Sequence, residues 1–266
     1  MPINPDTLTA WLPALAPVMA RVAGIALFLP LTASVELPAL AKVGLVGGVA
    51  VAVFPMALPT VELGLREDQL VAGLVGELVI GELIGLSAAG VLHAAIMAGH
   101  LVAQQAGLTL GTIYNPMLES EASSIEQATY FAAALVFLSV GGHMEFARAL
   151  LDSFQLIPPL RFGVDGVSAD LMVDLAQSMC DTALRLAGPT LLALLSSTVV
   201  LGIASRTMPQ LNVLSVGFAL KVCLGVGALA ATLRLAEEPL GEAVGVSVET
   251  VREWMETVRR SLAARA

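Results

Sequence analysis

Long apolar blocks joined by short polar stretches run the length of the chain. Six blocks stand out, at roughly residues 11–31, 39–60, 70–97, 128–151, 183–204 and 211–235. Each is near or above the ~20 residues a helix needs to cross a hydrocarbon core. In lipid a backbone must satisfy its own hydrogen bonds, so the blocks are expected to be helical. None shows the sustained alternation of a strand. The first block follows a start that has Asp6 and no Lys or Arg, and it is longer than the core of a cleavable leader. It therefore reads as a retained membrane helix.

The joints differ in character. Residues 32–38 and 60–69 are short and hold Glu36, Glu62, Arg66, Glu67 and Asp68. Residues 104–127 form a longer polar stretch with Asn115-Pro116, Glu119, Glu121 and Glu126, in which Gly107 and Gly111 permit a tight backbone. Residues 152–182 are mixed, with Pro158-Pro159, Gly163 and Gly166 marking an irregular region that has room for a short helix over 168–180. Beyond 235 the chain turns polar. Pro239, Gly241 and Gly245 are expected to delay any helix, after which Val248, Val251, Trp254, Val258 and Leu262 recur at helical spacing. Ser247 is the expected N-cap, and Arg259 and Arg260 suit the negative end of the helix dipole. This amphipathic helix reads as lying on a partner or on the membrane surface, with a loose tail as the alternative.

Composition sharpens the class. The 266 residues are 57% hydrophobic and only 13% charged, against about 25% charged in soluble domains, and the mean hydropathy is +0.85. The expected fold is all-α: a polytopic membrane protein of about six long apolar helices arranged as hairpins. A net charge of -9 argues against nucleic acid, which needs a basic face. Cys180 and Cys223 supply neither a disulfide framework nor a zinc pattern, and Cys223, deep in an apolar run, reads as a small hydrophobe.

Chemistry-bearing patterns are missing. There is no phosphate-cradling loop, no strand-mounted GxGxxG, no HExxH and no GxSxG. No catalytic residue, metal site or cofactor is assigned, and the chain is not read as an enzyme. His93 and His100 are seven apart and share a helix face, but no carboxylate or cysteine stands near them at ligand spacing, so they read as packed or hydrogen-bonded. His143 follows Gly141-Gly142 at a helix boundary.

Charges inside apolar runs are costly in lipid and need a partner or a wet cavity. Arg21, Lys42, Glu77, Glu82, Arg185 and Lys221 lie inside or near such runs, and Arg21, Lys42, Glu77, Glu82 and Lys221 are the expected buried charges. Internal or intersubunit ion pairs are favoured over an ion pathway. Glu77 and Glu82, five apart, point to different helix faces. Gly81 and Gly85 make a small-xxx-small step suited to close helix approach, within the chain or against another subunit.

Residues 187–225 carry the most specific pattern. Two apolar runs flank a compact turn, Ser205-Arg206-Thr207-Met208-Pro209-Gln210, where Pro209 should break the helix. Pro189, Gly202, Arg206, Pro209-Gln210-Leu211-Asn212-Val213, Gly217-Phe218, Lys221 and Gly225 together resemble the signature hairpin of the FliR family of flagellar export proteins. Arg21-Val22-Ala23-Gly24 with Pro30, Glu77 to Gly81, the 98–116 stretch and Gly142-His143 through Phe154 and Pro158 are also similar to that family. The resemblance covers most of residues 18–233.

The resemblance implies a non-enzymatic channel subunit of the type III export gate in the bacterial inner membrane, at the flagellar basal body. It implies FliP-like and FliQ-like partner subunits, an FlhB-like switch subunit, and unfolded exported proteins as cargo. Residues 1–180 would be a FliP-like helical part, 181–235 a FliQ-like hairpin, and 236–266 a polar tail. Within the first part, residues 105–126 would be the loop that plugs the pore, carried by Gln105, Gly107, Gly111, Asn115, Pro116 and Glu119. The turn bearing Arg206, Pro209, Gln210 and Asn212 would contact the switch subunit. The virulence counterpart, the SctT family, shares the PQLNV run, while Gly217-Phe218 and the Gly142-His143 to Phe154 stretch look more flagellar. Outside the resemblance, a six-helix secondary transporter with a site near Glu77 and Glu82 remains a second reading.

Overall fold

A computed structural model describes residues 5–28, 38–57, 67–108, 124–162, 166–207, 213–234 and 236–265. Among these residues the regular structure is entirely α-helical, in eight helices. They are α1 (Pro5–Phe28), α2 (Ala39–Ala57), α3 (Glu67–Ala106), α4 (Ser124–Ser139), α5 (Gly142–Leu156), α6 (Gly166–Thr207), α7 (Val213–Arg234) and α8 (Glu237–Arg265). Three are long and apolar enough to cross a membrane: Ala39–Ala57, Leu70–Ala106 and Ser168–Thr207. Ile125–Ser139 and Gly142–Leu156 make a fourth if counted as one interrupted span, and Ala14–Phe28 and Val216–Ala231 are shorter apolar helices. The protein is a polytopic all-α membrane protein.

Three element boundaries differ from expectation, each for a local reason. The apolar block 128–151 is broken, because Gly141 adopts a φ of 80° that ends α4 before α5 begins. The helix expected over 168–180 is the opening of a 42-residue helix, since neither Gly nor Pro intervenes between Gly166 and Gly188. The C-terminal helix starts at Glu237, earlier than expected. Pro239 lies in its first turn, where a missing N–H leaves no intrahelical bond unmade, and Glu237 and Glu238 complement the positive end of the dipole. Ser247 consequently sits mid-helix and is not an N-cap.

The chain divides into two compact units. The first contains residues 1–90, 142–176 and 245–266. Its core joins α1, α2 and α5 through Val18, Val22, Ala50, Val53, Leu150 and Phe154. Residues 245–265 of α8 bury Val248, Val251, Trp254, Met255 and Val258, a stripe at helical period. The second unit contains residues 91–141 and 177–244. There α4 packs on α7, and Gly225 of α7 lies against Ala106 and Leu194.

Much apolar surface stays uncovered. Leu40, Val43, Val51 and Met56 of α2, Leu192, Val199, Val200 and Ile203 of α6, and Val216, Phe218 and Val226 of α7 are all exposed. Patches of this kind mark contact with lipid or with other protein.

Candidate functional site

The most heavily built polar feature lies in the first unit, where α1 and α3 cross on glycine. A Cβ on Gly81 would collide with the carbonyl oxygen of Arg21, and one on Gly24 with that of Leu78. A Cβ on Gly85 would lie 2.8 Å from the Ile25 oxygen. The small-xxx-small step is therefore spent on packing inside this chain. Backbones this close leave a long side chain from α1 only short reach to α3, and Arg21 uses it to meet Glu77.

Arg21 and Glu77 are fully buried, with Arg21 Nε donating to Glu77 Oε2 at 2.7 Å. The other guanidinium nitrogens are also bonded. Nη1 donates to Ser153 Oγ at 3.0 Å and Nη2 to the Ile157 carbonyl at 3.1 Å. The guanidinium carbon lies 4.3 Å from the centroid of the Phe154 ring, within cation–π range. Glu77 Oε1 accepts the Leu160 N–H at 2.9 Å. A buried charge is tolerated when paired and hydrogen-bonded, and here both partners are. The planar fork of arginine suits the task, because its three nitrogens face three acceptors in different directions.

The corner at 157–162 completes this hub. Leu160 is in the left-handed region, with a φ of 67°, an uncommon state for a residue with a side chain. It is held there by the Glu77 bond and by the close fit of its side chain to Gly73, where a Cβ would stand 2.9 Å from Leu160 Cδ2. A Cβ on Gly76 would likewise strike the Phe162 carbonyl. Chemically the arrangement holds three chain segments around one ion pair. Neither charged side chain is accessible to solvent.

A second polar group lies in the other unit. His100 Nδ1 and Glu126 Oε1 are 2.9 Å apart, and Gln104 Nε2 is 3.0 Å from His100 Nε2. Beside them Gly99 lets α4 approach, since a Cβ there would collide with Thr129 Oγ1. Gln105 lies in the last turn of α3. Gly107 follows with a φ of 82°, its N–H bonded to the Gln104 carbonyl while the Leu108 N–H bonds to that of Ala103. This is the Schellman ending, in which glycine supplies the left-handed residue. The chain leaves α3 by this cap and returns at α4. Gly111, Asn115, Pro116 and Glu119 lie outside the described residues.

A family model described as bacterial export proteins, family 1, matches residues 12–245. The chain belongs to this family. Flagellar biosynthetic protein FliR of Bacillus subtilis is 26% identical over 250 residues, which cover 92% of this chain and 96% of the relative. FliR of Escherichia coli is 25% identical over 218 residues, covering 81% and 82%. Secretion system apparatus protein SsaT of Salmonella typhimurium is 30% identical over 220 residues, covering 80% and 84%. Flagellar and secretion-system members thus both match this bacterial export protein, in agreement with the FliR/SctT resemblance of its sequence.

The remaining expected residues scatter. Arg206 is exposed in the last turn of α6, where a cation complements the dipole. Pro209, Gln210 and Asn212 lie outside the described residues. Of the five charges expected to be buried, Glu82 and Lys221 are half-buried and Lys42 is exposed. Lys42 is corrected by its position near the start of α2, a helix that buries Ala50, Val53 and Ala57 further along. Arg185 is exposed too, paired with Asp181 at 2.8 Å and Glu242 at 3.2 Å. Cys223 is exposed on α7. Sequence reasoning singled out Arg21 and Glu77 separately but missed Ser153, the Ile157 carbonyl and the Leu160 N–H. It also missed Glu126 as the partner of His100, a carboxylate 26 residues away across the loop.

Proposed function

We propose that this bacterial export protein is a structural channel subunit of the type III protein export gate, with the flagellar gate favoured over the virulence gate. The observation that carries the reading is the family match over residues 12–245. The relatives named for flagellar biosynthesis and for a secretion apparatus support it. In this reading the chain assembles with FliP-like and FliQ-like subunits in the bacterial inner membrane and contacts an FlhB-like subunit through the turn after Arg206. Residues 1–180 form the FliP-like part and 181–235 the FliQ-like hairpin.

The surface chemistry suits assembly. Helices α2, α6 and α7 present large exposed apolar side chains. Lys221, midway along α7, is half-buried with no ion-pair partner among the described residues. A charge placed so in a membrane helix calls for a partner from outside it. Residues 105–126 act as the plug, blocking ions until an unfolded substrate passes. Deleting residues 107–124 in the assembled gate tests this role: ion leakage should rise. Unchanged leakage through a normally assembled complex contradicts it.

A further inference from the structure

The sequence reads the last helix as lying on a partner or on the membrane surface, or as a loose tail, yet its apolar stripe is packed within the first unit. Within the first unit Val251 and Met255 are completely buried and Val248, Trp254 and Val258 nearly so. Ser247 Oγ, itself buried, donates to the Ser87 carbonyl of α3 at 2.9 Å. Arg252 Nη2 reaches Asp152 Oδ2 of α5 at 3.0 Å. The Trp254 ring meets Phe162 edge to face, with centroids 5.8 Å apart and planes at 73°. Phe162 is two residues beyond Leu160, whose N–H is held by Glu77. A continuous line of contact therefore runs from Trp254 through the 157–162 corner to Glu77 and Arg21. The region that matches the family ends at residue 245, just before this part of α8.

We propose that residues 245–265 are a strap that holds the 157–162 corner over Glu77, and thereby positions the buried Arg21–Glu77 pair. The corner needs such support. It contains Pro158-Pro159 and a left-handed leucine, and a conformation of that kind persists only where its surroundings hold it. Trp254 contributes through its ring and not through its indole nitrogen, because Nε1 is buried with no hydrogen-bond partner among the described residues. Trp254→Phe, which keeps an aromatic ring against Phe162, should therefore hold the corner where Trp254→Ala does not. This inference is independent of the export-gate reading.

Hydrogen exchange by mass spectrometry on the full chain in detergent tests the strap. In Trp254→Ala the Leu160 amide should exchange at least about tenfold faster, equivalent to roughly 1.4 kcal/mol, while a peptide from α2 keeps its wild-type protection. Trp254→Phe should leave Leu160 protected. If Trp254→Ala also exposes the α2 peptide, Ser247→Ala is the second variant, with Leu160 exchange rising about threefold for loss of one hydrogen bond. Wild-type protection at Leu160, in a variant whose 248–258 peptide exchanges freely, overturns the proposal. Loss of protection in Trp254→Phe equal to that in Trp254→Ala overturns it as well.

Discussion

The Arg21 guanidinium and the Glu77 carboxylate meet at 2.7 Å with neither side chain open to solvent. Ion pairs on an exposed surface contribute little, but a buried pair behaves differently when one partner is removed. Arg21→Met leaves the Glu77 carboxylate buried with the Leu160 N–H as its one remaining partner from the hub. The expected loss is about 3–5 kcal/mol. Replacing both residues together, as Arg21→Met with Glu77→Leu, should cost much less than the sum of the single changes. Arg21→Lys keeps the charge but lacks the fork that reaches Ser153 and Ile157, so it should fall between wild type and Arg21→Met. Thermal unfolding in detergent, followed by circular dichroism, ranks wild type, the double variant and the three single variants Arg21→Met, Glu77→Leu and Arg21→Lys.

The glycines of this chain should divide sharply by position. Gly81→Ala places a methyl group against the Arg21 carbonyl, a backbone atom that cannot swing aside. It should force α1 away from α3 and lower the melting temperature by several degrees, in keeping with roughly 1–3 kcal/mol for overpacking. Gly44→Ala, where no atom lies within 4 Å of the added carbon, should be neutral or slightly stabilising in the isolated chain. A melting temperature for Gly81→Ala equal to that of Gly44→Ala contradicts the crossing.

How far the sequence revealed this hub depends on which residue is asked about. Arg21 and Glu77 stand out because a charge in an apolar run is conspicuous. Gly81 and Gly85 stand out because their spacing repeats on one helix face. That Arg21 and Glu77 meet is invisible from spacing, since they lie 56 residues apart. The corner is harder still. Its left-handed residue is a leucine, which carries no turn signal, and its bonds to the ion pair use a backbone carbonyl and a backbone N–H, which leave no mark in the sequence. The start of α8 is not legible in the sequence because Pro239 and Gly241 read as breakers, although proline in a first turn breaks nothing.

The His100–Glu126 contact ties α3 to α4 on either side of the connecting loop. His100 is about half exposed, so the pair should contribute modestly. A double-mutant cycle with His100→Ala and Glu126→Ala should give a coupling of about 0.2–1 kcal/mol, read from denaturant or thermal unfolding. A coupling of zero would remove the pair from any account of how the loop is held.

Lys221→Met should leave the isolated chain folded, because the lysine has no ion-pair partner among the described residues. The same change should weaken assembly with partner subunits if those subunits supply the missing counter-charge. Co-purification yield against wild type, at equal expression, measures the effect. Equal recovery of the complex would show that Lys221 finds its solvation in some other way.

In the proposed function this bacterial export protein works as one member of a larger gate. Native mass spectrometry of the chain, co-expressed with the FliP-like and FliQ-like proteins of its own source, tests that most directly. The expected result is a discrete complex holding one copy of this chain and several of each partner. A chain that remains alone, folded and stable in detergent with both partners present would contradict it and favour a protein that acts by itself.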